Sequence, residues 1–269
     1  MVKVRRPAVA GTFYPADRQE LHRLVTEYLA VADTQGPVPK ALIVPHAGYI
    51  YSGPVAASAY GYLVKAQGTV SRVVLLGPAH WVAFSGLAAS SAEAFVSPLG
   101  EVPVDRHALQ QILKLPSVHV LDEAHVREHS LEVQLPFLQV VLGNFSLVPL
   151  LVGEASPEEI AVVLDLVWNG PATAIVISSD LSHYYDYETA RRLDQVTSHA
   201  IEQLRWQDIQ TEQACGYYPV RGFLYAAQQH RLSAKAVDVR NSGDTAGPHD
   251  TVVGYGAYIF TDRLSTPHE

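Results

Sequence analysis

A single cysteine, Cys215, stands in the 269 residues, so no internal disulfide can form and a secreted disulfide framework is excluded. The expected compartment is the reducing cytoplasm. Basic residues are scarce: 19 Lys and Arg face 27 Asp and Glu, for a formal charge of -8. Such a chain has no electrostatic footprint for a phosphate backbone, and nucleic acid is not an expected partner. Long apolar runs are missing too. No stretch approaches the ~20 residues of a membrane span, and Arg, Pro and Gly break up the amino terminus too much for a signal peptide. No membrane association is expected. There is no repeat, low-complexity tract or Ser/Gly linker, so the expectation is one domain over residues 1–269.

What the chain does have is 48% hydrophobic residues, enough for a buried core. Short aliphatic runs recur at 41–45 (ALIVP), 72–76 (RVVLL), 146–152 (SLVPLLV), 173–178 (TAIVIS) and 251–260 (TVVGYGAYIF), the pattern of buried strands. Helical patterns lie between them. Leu131, Leu135, Leu138 and Leu142 share one face and stop at Gly143, with Ser130 as the expected N-cap; Ser156 and Pro157 open another helix. Further helices are expected over 187–204 and 219–229. Strands alternating with helices predict an α/β chain of three layers, α/β/α, around a mostly parallel, mixed sheet, with a hairpin near 86–104.

Three of the predicted strands run into similar polar clusters: Pro45-His46-Ala47-Gly48-Tyr49, Gly77-Pro78-Ala79-His80, and Ser179-Asp180-Leu181-Ser182-His183. In open α/β sheets ligands gather beyond the carboxyl ends of the strands, so these clusters are expected to converge. Neutral imidazole is a ligand for Zn, Cu, Fe and Ni, and two His plus one anionic group leave coordination positions open. His183 reads either as a third ligand or as a general acid or base. Cys215 precedes a predicted helix start, which favours thiolate; the alternative is a buried cysteine that fills space. The segment His125-Val126-Arg127-Glu128-His129 matches H-x-x-E-H, the pattern of inverted zinc peptidases. That chemistry needs both His on one helix, and the expected cap at Ser130 leaves His125 outside it. Glu128, His129 and Glu132 are instead expected at a helix entrance beside a cleft. Residues 240–250 form a polar, Gly-rich loop that either turns the chain or closes over a site. Tyr49, Tyr51, Tyr184, Tyr185, Tyr217 and Tyr218 adjoin the polar clusters and offer aromatic walls.

These residues, together with the opening Arg6-Pro7-Ala8-Val9-Ala10-Gly11-Thr12-Phe13-Tyr14-Pro15, Glu128-His129-Ser130-Leu131-Glu132, Ser178-Ser179-Asp180 and Asn241-Ser242-Gly243-Asp244, resemble the Memo family along nearly the whole chain. The resemblance implies a fold related to the class III extradiol dioxygenases and an iron or copper centre whose ligands match His46, His80 and Cys215. A thiolate in the third place departs from the dioxygenases' two His and one Glu, and shifts preference toward Cu(I) or Zn. Leu181-Ser182-His183 resembles the segment carrying their acid/base histidine. The resemblance also implies a link to AMMECR-type and radical SAM proteins, the AmmeMemoRadiSam grouping. The leading expectation is a metal-dependent, dioxygenase-like oxidoreductase acting on a small molecule. In it His183 transfers protons while Asp180 or Glu132 orients the imidazoles. The alternative is a non-catalytic peptide- or protein-binding module using the same cleft, and a zinc hydrolase ranks third.

Overall fold

The computed structural model describes residues 3–32 and 35–262; residues 1–2, 33–34 and 263–269 of the expected 1–269 domain lie outside them. The core of the chain is four parallel strands, β2 (Ala41–Val44), β9 (Thr173–Ser178), β3 (Arg72–Pro78) and β8 (Ser146–Val152), adjacent in that order. All four are almost continuously apolar and buried, because a strand covered on both faces has no polar side. Antiparallel strands complete the sheet at both ends. On one side β12 (Val252–Asp262) pairs β2, and β10 (His183–Tyr185) and β11 (Leu232–Asn241) pair β12. On the other, β4 (Leu87–Ala89) pairs β8 antiparallel and carries β7 (Val118–Val120) in parallel. The expected hairpin is β5 (Ala94–Ser97) with β6 (Gly100–Pro103), which joins β1 (Val4–Arg5) in a separate small sheet.

Two groups of helices cover the large sheet, giving the three layers expected. One comprises α1 (Arg18–Ala30), α2 (Tyr49–Tyr60) and α5 (Leu135–Leu142); the other comprises α3 (Arg106–Ile112), α6 (Pro157–Val167), α7 (Tyr187–Glu202) and α8 (Tyr217–Gln229). Ser156 caps α6 in a full capping box with Glu159, with Pro157 in the first turn as anticipated. Ser130 does not cap a helix. A 3₁₀ turn at Glu132–Gln134 intervenes and α5 starts only at Leu135, with Pro136 in its first turn, while the Ser130 hydroxyl donates to the Pro78 carbonyl at 2.8 Å. Ser130 therefore ties the entrance of this segment to the end of β3. The leucine stripe is buried as predicted. The strand β11 and the helices α1 and α2 lie outside the sequence expectations. α2 carries Pro54 and no charged residue, and β11 is an edge strand with Lys235, Asp238 and Arg240 along it, the charged composition that protects a sheet edge and blurs its pattern.

Candidate metal centre

Because β2, β9 and β3 are neighbours running the same way, their carboxyl ends lie side by side, and the three polar clusters meet there. Cys215 arrives from the turn before α8, where Gly216 packs against the β9 exit: a Cβ at Gly216 would stand 2.6 Å from the Ser179 Cβ, and its N–H donates to Ser179 Oγ. The outcome is a group of one ligand atom each from His46, His80 and Cys215, all within 4.8 Å of one another. His46 Nε2 is 3.2 Å from Cys215 Sγ. A tetrahedral ion with metal–nitrogen and metal–sulfur bonds of about 2.05 and 2.3 Å would hold such atoms ~3.5 Å apart, so the donor set fits a transition metal with small adjustment.

The hydrogen bonds behind the rings decide which nitrogen faces the centre. Ser178 Oγ gives its one proton to the Ser130 carbonyl at 2.6 Å and accepts from Gln134 Nε2; the Gln134 amide is oriented by donating to the Pro45 carbonyl and accepting from Tyr60. Ser178 can therefore only accept from His46 Nδ1, at 2.8 Å, which leaves His46 Nε2 as a lone pair pointing at Cys215. His80 Nδ1 lies 2.8 Å from Glu128 Oε1. Burial raises the Glu128 carboxyl, but the His80 hydrogen bond and charge and the backbone N–H groups of His80 and Ser130 outweigh it and bring it to about 2. An ionised Glu128 fixes the His80 proton on Nδ1 and frees Nε2. His183 Nδ1 donates to the Leu181 carbonyl at 2.9 Å, so its Nε2 is open as well. Each ring is held in the ligand or base tautomer by an outer partner, the usual arrangement behind metal-bound imidazoles.

Glu132 does not orient an imidazole. Its carboxylate is taken by the Arg5 guanidinium, the backbone N–H groups of Ala8 and Val9 and the Tyr14 hydroxyl, which staple the amino-terminal segment to the 3₁₀ turn. Asp180 also bonds no imidazole: it accepts the backbone N–H of His46 at 2.7 Å, and its own N–H points at Cys215 Sγ at 3.2 Å. Ser178 and Glu128 take the orienting role expected of these two carboxylates. The H-x-x-E-H pair is likewise split. His125 lies in the last turn of the short helix α4 (Asp122–Val126), is buried, bonds the Ala88 carbonyl and packs against Phe95; it takes no part in the centre. His129, beyond that helix, does take part. Its ring stacks on His80 with centroids 4.7 Å apart and meets His46 edge-on at 5.4 Å, and His80, Glu128 and His129 form a second group of close ligand atoms.

Burial governs the charge states. It pulls His46 well below the ordinary imidazole range, helped by the neighbouring His129, His80 and His183, and brings His129 down to about 4. Both are neutral at neutral pH, as metal ligands must be. His80 is also pulled down by burial, yet its bond to Glu128 and that group's charge leave it raised. Burial and the nearby Asp180 push the Cys215 thiol up, so of the two readings left open for this cysteine, desolvation outweighs the helix start: the sulfur sits two residues before α8. A bound cation is what would displace its proton. The centre forms the floor of a cleft of about 640 Å³ whose walls include Phe13, Tyr51, Tyr184, Tyr255, Ser242 and Pro248. The expected loop at 240–250 thus supplies one wall; Asn241 and Asp244 cap its 3₁₀ turn. Tyr51 and Tyr184 line the cleft, while Tyr49 is buried beneath it, donating to the Val133 carbonyl.

Fold and site together define an α/β protein with a His/Cys centre at the carboxyl edge of its sheet. The chain belongs to the Memo-like family: the family model described as Memo-like protein matches residues 5–259. It is 38% identical to a MEMO1 family protein from Aquifex aeolicus over 96% of this chain and 100% of that one. It is 37% identical to a MEMO1 family protein from Saccharolobus islandicus over 95% and 99% of the two chains. Among solved structures, the uncharacterized protein JW3007 from Escherichia coli K12 shares the fold with a TM-score of 0.55 and 14% identity, over 81% of this chain and 98% of that chain. No helix among the described residues is long and apolar enough to cross a membrane.

Proposed function

We propose that the chain is a metal-dependent oxidoreductase whose ion is held by His46 Nε2, His80 Nε2 and Cys215 Sγ. The observation that carries this reading is the approach of one ligand atom from each of these three residues to within 4.8 Å with both imidazole tautomers set from behind. Iron or copper suits it best and zinc suits the donor set; when bound, iron or copper supplies electron transfer and an open position for a small-molecule substrate. The chain's own groups do the rest. Ser178 and Glu128 orient the two imidazoles, Asp180 holds the His46 backbone and the sulfur, and His183, with Nε2 free on the cleft wall, takes and returns a proton. Family membership extends the proposal to a cytoplasmic pathway shared with AMMECR-type and radical SAM proteins.

The test is to load the purified protein anaerobically with Fe(II) or Cu and follow oxygen uptake and redox state with reductants and candidate small molecules. Turnover lost in His183→Ala with metal retained supports the assignment. A loaded protein that neither consumes oxygen nor changes redox state under any of these conditions sinks it.

A further inference from the structure

Four non-glycine residues among those described have left-handed backbones: Asn169, Tyr184, Leu204 and Arg231, with φ of 27°, 65°, 54° and 55°. Three of them directly follow the capping residue of a helix: Asn169 after α6, Leu204 after α7 and Arg231 after α8. That is the position at which a left-handed residue commonly ends a helix. Tyr184 has no such reason. It lies in β10 where the register against β12 shifts, His183 pairing with Val253 and Tyr185 with Val252. The residue is 77% exposed, so burial does not offset a conformation that bulky side chains disfavour. Strain of this kind gathers where a site requires it, and bulges beside sites re-aim side chains. Here the ring stands on the cleft wall, edge-on to His183 with centroids 5.6 Å apart. Phe13, Tyr51 and Tyr255 add aromatic surface to the same cleft, and among the described residues no Lys or Arg lines it.

We infer that Tyr184 is a substrate-gripping residue, its ring stacking on the flat face of an uncharged ring system held over His183. This rests on the proposed reading of the cleft as an active site. Among the described residues an anionic ring would find no Lys or Arg there to pair with, whereas an uncharged planar one meets aromatic faces and edges.

The test uses 2-naphthol and 2-naphthoate, one ring system in uncharged and anionic form, titrated by fluorescence anisotropy against wild type, Tyr184→Phe and Tyr184→Asn. Each protein is run as purified and after chelator treatment, with its metal content measured. Asparagine accepts the left-handed backbone, so Tyr184→Asn should melt no lower than wild type while binding 2-naphthol roughly tenfold more weakly, and Tyr184→Phe should bind within about twofold of wild type, since the phenyl face is kept. In chelated protein 2-naphthoate should bind roughly tenfold more weakly than 2-naphthol, with no Lys or Arg among the described lining residues to offset its desolvation. Unchanged 2-naphthol binding by Tyr184→Asn, equal binding of the two probes by chelated protein, or a clear loss of thermal stability in Tyr184→Asn would each overturn the inference. Tyr184-dependent naphthol binding by a protein that takes up no metal supports it while removing the oxidoreductase reading. A metal-loaded protein indifferent to naphthol does the reverse.

Discussion

At the scale of single residues, the centre depends on groups that never reach the cleft. Glu128 accepts from both the ring and the backbone of His80 and from the backbone of His129 and Ser130, so one carboxylate sets the direction of the His80 lone pair. Glu128→Gln should preserve the fold yet weaken metal affinity by about 10- to 100-fold, read by competition with a chromophoric chelator; affinity equal to wild type would show that His80 needs no carboxylate behind it. The ligand candidates were legible in the sequence because each stands just past an apolar strand or before a predicted helix, where side chains must leave the core. Their orienting partners were not. Ser178 is the last residue of a buried strand, Glu128 lies in a connecting turn, and which carboxylate faces which ring depends on the path of the chain between residues 126 and 135. Ser130 reads as a helix cap in the sequence, but its hydroxyl serves the end of β3.

At the scale of elements, helix ends and strand pairing decide how firmly the site is framed. Ser156 accepts the Glu159 N–H and Glu159 returns a bond to the Ser156 N–H. Ser156→Ala should therefore cost about 1 kcal/mol, a fall in melting temperature of roughly 2–4 °C for a chain of this size, with metal binding unchanged. Inside α7, Asp194 is buried against the antiparallel pair β10 and β12 and accepts the Ser182 N–H at 3.0 Å. Burial raises its carboxyl from 3.8 to about 6, against the pull of Ser182 and His183. Since the folded pKa lies above the unfolded one, its contribution is fully present below pH ~4 and is lost as pH climbs through ~6. Asp194→Asn keeps an acceptor for Ser182 and removes the buried charge. Thermal melts should show it more stable than wild type at pH 7.5, by up to ~3 kcal/mol, with the gap closing by pH 4; a variant destabilised equally at both pH values would contradict this account of Asp194. The buried strands were readable because a strand covered on both faces has little choice but aliphatic residues. The edge strand β11 mixes Lys235, Asp238 and Arg240 with small, half-buried alanines and valines, so its sequence looks like loop.

At the scale of the whole molecule, the sheet order brings β2, β9 and β3 together, and that adjacency converts residues far apart in sequence, His46, His80, Asp180 and His183, into one cleft. Alternating strands and helices made the layered fold readable. His129 beside a cleft and the 240–250 loop closing over a site were both open readings of the sequence, but which of them held depends on how connections cross the end of the sheet. The long-range nature of the site makes one measurement decisive. Metal content should be determined by elemental analysis on protein purified without added metal, and again after anaerobic reconstitution, beside His46→Ala, His80→Ala and Cys215→Ala variants shown to be folded. The account predicts about one equivalent of Fe or Cu in wild type, as expected for a single three-ligand site, and its loss in all three variants; a wild type that binds none of Fe, Cu or Zn, or a Cys215→Ala variant that keeps its full equivalent with unchanged affinity, would contradict it.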